Sequence, residues 1–240
     1  MIDWLKRANI DPEIDLNGQI VPIVLRRHST AKRLTLRLAP DGSEVRITLP
    51  SWARGAEAIA FAHARNDWLA AQHAKIPRRR STGAGDTILF RAEPITIVWS
   101  ETAKRRPAMR DQNLVLGGPQ SSIERRIRQW LEERALELFE SDTRDFTAAA
   151  SLAPVPVALS RAQKRWGSCS DKKRIRINWW LVQAPDFVRR SVVAHEVAHL
   201  VHFDHSPAFH ALLDEIYDGE IGRADRWLKE NGRTLYASFG

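Results

Sequence analysis

The sequence predicts an α+β fold in which a β-rich first part with helices precedes a mostly helical second part. Short segments with alternating apolar and polar residues dominate the chain up to residue 116, which is the pattern of half-buried strands. Longer segments with apolar residues at helical spacing dominate from residue 123 onward. Gly117 and Gly118 interrupt both patterns. We therefore expect one domain at residues 1–118 and a second at residues 119–240, whose helices accompany a small antiparallel sheet.

The elements of the first part follow from local patterns. Leu34, Leu36 and Leu38 alternate with polar residues, and Pro40-Asp41-Gly42 is typical of a hairpin turn. Apolar residues at helical spacing predict one helix over residues 56–75. The predicted strands cover residues 19–27, 33–38, 44–49, 87–90, 95–99 and 113–116, with an exposed loop at residues 77–86.

The elements of the second part are predicted in the same way. Ser121 or Ser122 can cap a long helix that extends to about residue 146. The remaining elements are strands at residues 155–159 and 174–178, a helix that starts at Pro185, and a helix with Ser206 as its N-cap and Pro207 in its first turn.

Positive charge is concentrated in the first half of the chain. The formal net charge is +8, and residues 1–110 hold 19 Lys and Arg against 11 Asp and Glu, whereas residues 111–240 hold 18 of each. The basic residues cluster at Arg26-Arg27, Lys32-Arg33, residues 78–80 and residues 104–106. Such clusters are typical of a solvated surface, or of one that attracts nucleic acid or an acidic partner. No recognised nucleic-acid-binding motif accompanies them.

Hydropathy and cysteine content indicate a cytoplasmic protein. No run of 18 apolar residues is present that could cross a membrane, and residues 1–10 lack the apolar core of a signal peptide. Cys169 is the single cysteine, so no intrachain disulfide can form, as is usual in a reducing compartment. We therefore expect no membrane partner.

Residues 195–199 contain an HExxH pattern within an apolar segment. On a helix, His195 and His199 lie on one face about 6 Å apart, so both imidazoles can bind one zinc ion. Glu196 is placed to touch a water molecule beside the metal rather than the metal itself. Ordinary helix histidines are the alternative. Against it, five of the eight histidines lie between residues 195 and 210, and a buried Glu196 would be costly without a partner.

A catalytic zinc site needs a third ligand, and several residues could supply it. His202 lies about 10 Å further along the helix axis than His195, which is too far for a shared metal. His205 precedes the break at Ser206-Pro207, so the chain can turn it back over the metal. We favour His205 as the third ligand, with Glu215 and Glu220 as rivals and with His202 and His210 nearby or at the surface.

Two segments before the zinc-binding helix are candidates for substrate contact. Trp166, Gly167 and Ser168 are predicted to form a loop beside the cleft, with structural packing as an equal alternative role. The candidate substrate-binding residues are Arg165, Trp166, Gly167 and Ser168. The strand at residues 174–178 precedes the helix, so its edge can pair with an extended peptide. Candidates for an oxyanion donor are Arg165, Tyr217 and Arg226. Cys169 is expected to be a small buried residue.

These stretches together resemble the YgjP-like metallopeptidase family, a group of zincins, over most of the chain. The resemblance is carried by Pro40-Asp41-Gly42, Asn66-Asp67-Trp68, residues 165–170, Ile177-Asn178-Trp179, residues 193–200, His205-Ser206-Pro207 with Phe209, and Trp227-Leu228-Lys229. The related SprT-like group also has a His-Gly/Ser-Pro-x-Phe element. The resemblance implies a zincin-like metallopeptidase domain in which Glu196 is the catalytic residue and the zinc ligands are His195, His199 and His205. His210 departs from the family pattern, where a bulky aromatic residue is expected, and this concerns packing rather than ligation.

The expected function is zinc-dependent hydrolysis of peptide bonds in a peptide or protein substrate, with one Zn²⁺ per chain and Glu196 as general base. Residues 1–118 would then recognise the substrate or a partner. Two alternatives remain open. One is a DNA-associated protease of the SprT-like kind, which acts on proteins bound to nucleic acid and has only the basic first half as support. The other is a non-catalytic zinc protein, although structural sites usually have four protein ligands.

Overall fold

The computed structural model describes residues 12–39, 42–76, 82–162, 164–236 and 239. The chain divides into two compact units, Met1–Arg78 and Arg79–Gly240, and each has its own hydrophobic core. The strands within residues 87–116, which the sequence assigns to the first domain, pack in the core of the second unit. The functional domain boundary after residue 118 stays a prediction. The predicted turn at Pro40-Asp41 and the basic cluster at residues 78–80 lie outside the described residues.

A four-stranded sheet forms the first unit. Its strands are β1 (Glu13–Leu16), β2 (Gln19–Arg27), β3 (Thr35–Leu38) and β4 (Val45–Leu49), in the order β1-β2-β4-β3. β2 and β4 are parallel, and the other neighbours are antiparallel. The sequence predicts β2 at its observed bounds but misses β1. Asn17 and Gly18, both with positive φ, form the two-residue hairpin turn that joins these strands.

Two helices cover one face of this sheet. α1 (Gly55–His63) packs on β2 and β4, whereas α2 (Asn66–Ala74) packs on β1 and β3. The predicted single helix over residues 56–75 is therefore wrong. The backbone leaves the helical region at Arg65, where φ is −113° and ψ is 19°, and this break lets α2 pack mainly on strands other than those under α1.

A second four-stranded sheet begins the second unit. It contains β5 (Thr87–Phe90), β6 (Glu93–Trp99), β7 (Ala108–Arg110) and β8 (Asn113–Leu116), in the order β5-β6-β8-β7. Its apolar residues share a core with α3 (Ile123–Ala149). Ser122 holds the N-cap position of α3, as predicted, but its hydroxyl donates to the Pro119 carbonyl rather than capping the helix.

A three-stranded sheet and three further helices complete the second unit. β9 (Val157–Ser160), β10 (Gly167–Cys169) and β11 (Ile175–Asn178) lie in the order β10-β11-β9. β11 is antiparallel to β10 and parallel to β9, so the sheet is mixed and not antiparallel as predicted. The helices are α4 (Asp186–Ala198), α5 (Pro207–Ile216) and α6 (Ile221–Asn231). No helix of the described residues has the length and apolar character to span a membrane.

A buried ion pair ties α4 to α3. Nε of Arg189 donates to a carboxylate oxygen of Asp142 at 2.7 Å, and both side chains are 4 % exposed. Arg189 also pairs with Asp186, and Arg190 pairs with Asp142 at 2.9 Å. Because removing one partner of a buried pair strands the other charge, this network holds the helix with the HExxH pattern in place.

Candidate metal centre

Helix α4 carries the HExxH pattern on a mostly buried surface. The helix begins after Pro185, and Val193, Ala194 and Val197 are fully buried. Its regular hydrogen bonding ends at His199, the C-cap residue. Nδ1 of His199 donates to the His202 carbonyl at 2.9 Å. This hydrogen bond fixes the ring orientation and leaves Nε2 free to accept a metal ion.

The chain turns between α4 and α5 and brings His205 back over the helix. Ser206 is the N-cap of α5, its hydroxyl accepts the amide of Phe209 at 3.4 Å, and Pro207 occupies the first turn. This is the helix start that the sequence predicts. Because His205 stands immediately before the cap, the capped start determines where its ring lies.

The three imidazoles meet at one point. Nε2 of His195 lies 3.1 Å from Nε2 of His199 and 3.3 Å from Nε2 of His205. All three ligand atoms lie within 4.8 Å of one another. Tetrahedral zinc, with zinc–nitrogen distances of about 2.0–2.1 Å, requires ligand nitrogens about 3.3 Å apart. The three residues therefore fit a zinc ion by donor type and by spacing.

Phe209 packs against all three rings. Its ring centroid is 5.0 Å from that of His195, 4.6 Å from His199 and 4.9 Å from His205, and its side chain is fully buried. Burial, together with the charges of His199 and His205, lowers the pKa of His195 to about 4. The neutral imidazole, which is the form that binds a metal, is thus strongly favoured.

Glu196 lies next to this cluster in the chain and is buried against β10. Burial raises its pKa to about 7, while the Arg165 charge and a hydrogen bond from the Cys169 backbone act in the opposite direction. A Cβ placed on Gly167 would come within 2.6 Å of Cγ and 2.8 Å of Cδ of Glu196. The carboxyl group therefore occupies the space that a side chain at Gly167 would need.

Comparison with known proteins agrees with this geometry. The model of the YgjP-like metallopeptidase domain matches residues 32–231, which is most of the chain and includes the three histidines and Glu196. The chain belongs to the YgjP-like metallopeptidase family. No protein with a curated description and no solved structure matches it.

The other predicted ligands of this YgjP-like chain lie elsewhere. Among the described residues, the group of potential metal ligands at this point contains only the three histidines. Glu215 and Glu220 are exposed, and Glu220 pairs with Arg226 at 2.8 Å. His202 contributes its carbonyl rather than its ring. His210 is exposed, with its ring centroid 6.5 Å from that of His205.

Residues 165–168 differ from their predicted loop. Gly167–Cys169 is strand β10 at the edge of its sheet, paired with β11. β11 is the central strand, so the prediction that the strand before the helix offers a pairing edge is wrong; β10 has that position. Trp166 stacks on Tyr236 at 5.4 Å, and the Asn178 side chain donates to the Arg165 carbonyl at 3.4 Å.

Three further residues near the HExxH helix are placed by the structure. The Tyr217 hydroxyl donates to the Phe187 carbonyl at 2.8 Å in a buried setting, which is a packing role. Val201 and Phe203 are 44 % and 58 % exposed in the segment between the second and third histidines. The predictions from sequence give neither residue a role, although an aromatic residue between the second and third histidines of an HExxH-x₅-H pattern was an available signal for a residue near the site.

Proposed function

We propose that this metallopeptidase-family chain hydrolyses peptide bonds with zinc held by His195, His199 and His205 and with Glu196 as general base. The observation that carries the proposal is the convergence of the three Nε2 atoms, at 3.1 and 3.3 Å from His195. Three protein ligands leave a fourth tetrahedral position for solvent or substrate, as in catalytic rather than structural zinc sites. A non-catalytic zinc site does not require a buried carboxyl group next to the ligands in the chain, and burying such a group is costly.

The metal and Glu196 have separate tasks in this proposal. When bound, zinc supplies a Lewis acid that acidifies a water molecule and polarises the carbonyl of the peptide bond. Glu196 takes the proton of the attacking water at a carboxylate oxygen and passes it to the leaving amine. Burial brings its pKa to about 7, which suits proton transfer in both directions near neutral pH.

The edge of β10 is the proposed binding site for the substrate backbone. β10 lies at one end of its sheet, and its first residue, Gly167, contacts the Glu196 side chain. An extended peptide that pairs with this edge would lie beside the general base. Ser168 belongs to the same strand, and exposed Arg165 lies close enough to act on Glu196 electrostatically. We assign both residues to substrate contact, and Trp166 to holding this segment through its stack on Tyr236.

Metal analysis combined with peptide hydrolysis tests the proposal. We expect about one zinc per purified chain and cleavage of a mixture of quenched fluorescent peptides. Glu196→Gln should keep the zinc but lose a factor of about 10² to 10⁴ in rate, which is the usual contribution of a general base. Full activity in this variant would contradict the mechanism.

A pair of histidine variants tests the ligand assignment. His205→Ala should lose zinc during dialysis against a weak chelator, because one of the three donors is gone. His210→Ala is the matched control, since this exposed histidine lies in α5, five residues further along the chain, and outside the cluster. Equal zinc retention by both variants would exclude His205 as a ligand.

A further inference from the structure

The outer face of the first unit's sheet carries an open basic depression. In β4, Val45, Ile47 and Leu49 are buried, whereas Arg46 and Thr48 alternate with them and lie on the other face. A depression of about 740 Å³ lies beside Thr48. The residues that line it and matter here, called the basic depression below, are His28, Lys32, Arg33, Thr35, Arg37 and Thr48.

Among the described residues of the first unit, no carboxylate neutralises the cations of the basic depression. None of the described residues that line it is acidic. Glu44, the acidic residue at the start of β4, pairs with Arg46. Within residues 12–39 and 42–76, no carboxylate pairs with Lys32, Arg33 or Arg37. Several positive charges that converge on one depression repel one another, so an anion that enters it is favoured.

The chemistry of the depression suits phosphate groups. The guanidinium groups of Arg33 and Arg37 have planar sets of N–H donors that match the oxygens of a phosphate. Thr35 and Thr48 are directly opposite each other on β3 and β4, and threonine hydroxyls commonly donate to phosphate oxygens. A carboxylate partner would use the same donors, so the choice between an acidic protein and nucleic acid depends on a second feature.

Trp52 is that second feature. Its side chain is 73 % exposed, and it lies in the segment that follows β4, four residues after Thr48. The Arg27 guanidinium holds this segment by donating to the carbonyls of Ser51 at 2.9 Å and Ala53 at 2.8 Å. An exposed indole that follows a strand of the depression by four residues can serve as a stacking platform for an unpaired base. Stacking of this kind favours a single-stranded nucleic acid over an acidic peptide or paired bases as the ligand.

We propose that the basic depression and Trp52 form a binding site for single-stranded nucleic acid, with the depression on the phosphates and the indole on a base. This site lies in the first unit and goes beyond the peptidase proposal, on which it does not depend. If both hold, the protein would meet its substrates among proteins bound to single strands.

Fluorescence anisotropy with a labelled single-stranded DNA of about 20 nucleotides tests the site in the full chain. Lys32→Ala combined with Arg37→Ala should weaken binding at least tenfold. The slope of log binding constant against log salt should fall by about 1.4, because each phosphate contact with a single strand contributes about 0.7. The matched control, Lys104→Ala combined with Arg110→Ala, removes one lysine and one arginine outside the basic depression. This control should leave the slope unchanged. All four side chains are exposed, so the fold should survive both double substitutions.

Two more comparisons distinguish single-stranded nucleic acid from a duplex and from an acidic polypeptide as the ligand. Trp52→Ala should weaken single-strand binding about tenfold through lost stacking and leave weaker duplex binding unaffected, whereas Trp68→Ala, at another exposed tryptophan, should change neither. Polyglutamate at equal charge should compete poorly. The proposal fails if the wild type does not bind, if both double variants lose the same affinity, if Trp52→Ala has no effect, or if polyglutamate competes as well as DNA.

Discussion

Replacing Gly167 by alanine should displace Glu196, the proposed general base, without touching the proposed metal ligands. The new Cβ would lie 2.6 Å from Cγ and 2.8 Å from Cδ of Glu196, whereas carbon atoms pack at about 3.5–4.0 Å. The carboxyl group must therefore retreat by about 1 Å. A misplacement of this size costs about 100-fold in rate, or about 2.7 kcal/mol of transition-state stabilisation.

The assay for Gly167→Ala is kcat/KM on a quenched fluorescent peptide, measured together with zinc content. Zinc should stay at the wild-type level, because the histidines are unchanged. Gly222→Ala is the matched control, since a Cβ there meets its nearest atoms, Nη1 of Arg226 and Oε1 of Glu220, at 3.5 and 3.6 Å. Wild-type activity in Gly167→Ala would refute the placement of Glu196, and loss of zinc would show that the change acts through the ligands instead.

Three further predictions concern stability. Asp142→Ala should lower the free energy of unfolding by about 3 kcal/mol, measured by urea titration, because Arg189 would lose its buried partner and keep only the partly exposed Asp186. Arg161→Ala, which breaks a largely exposed pair, should cost less than about 1 kcal/mol. Ser206→Ala should cost about 1 kcal/mol through the lost cap and should also weaken zinc binding, and unchanged zinc affinity would contradict the role given to the cap. In metal-free protein, Glu196 has a folded pKa of about 7 against 4.5 in the unfolded chain, so the stability that its proton provides is full below pH 4.5 and is lost as the pH rises to about 7. Glu196→Gln should therefore match the wild type near pH 4 and exceed it by about 3 kcal/mol above pH 7, and a pH-independent difference would contradict the burial argument.

The grouping of the three histidines could be predicted from sequence because the features that determine it are local. Two histidines four residues apart share a helix face whatever surrounds the helix. The start of α5 at Ser206-Pro207 depends on an N-cap interaction within one helical turn. The turn that brings His205 back was therefore also predictable from the sequence. The position of that turn was the reason to favour His205 over Glu215 and Glu220 as third ligand, and this choice stays a prediction.

The surroundings of Glu196 could not be predicted because they depend on distant pairing. β10 has three residues, and its pairing with β11 crosses a turn that carries no strong strand signal. Local propensity therefore indicated a loop, and the edge of the sheet was placed on β11. The break at Arg65 has the same origin, because no glycine or proline marks it and the separate strands under α1 and α2 determine it. β1 was missed although Asn17-Gly18 is a strong hairpin signal.

Burial acts in opposite senses on two neighbouring residues of α4. It lowers the pKa of His195 to about 4 and raises that of Glu196 to about 7, because a poorly solvated site disfavours both the cation and the anion. For the histidine this keeps the lone pair available to a metal near neutral pH. For the carboxyl group it brings the pKa into the range where a general base can both accept and release a proton. One poorly solvated environment thus suits His195 to its proposed role as metal ligand and Glu196 to its proposed role as base.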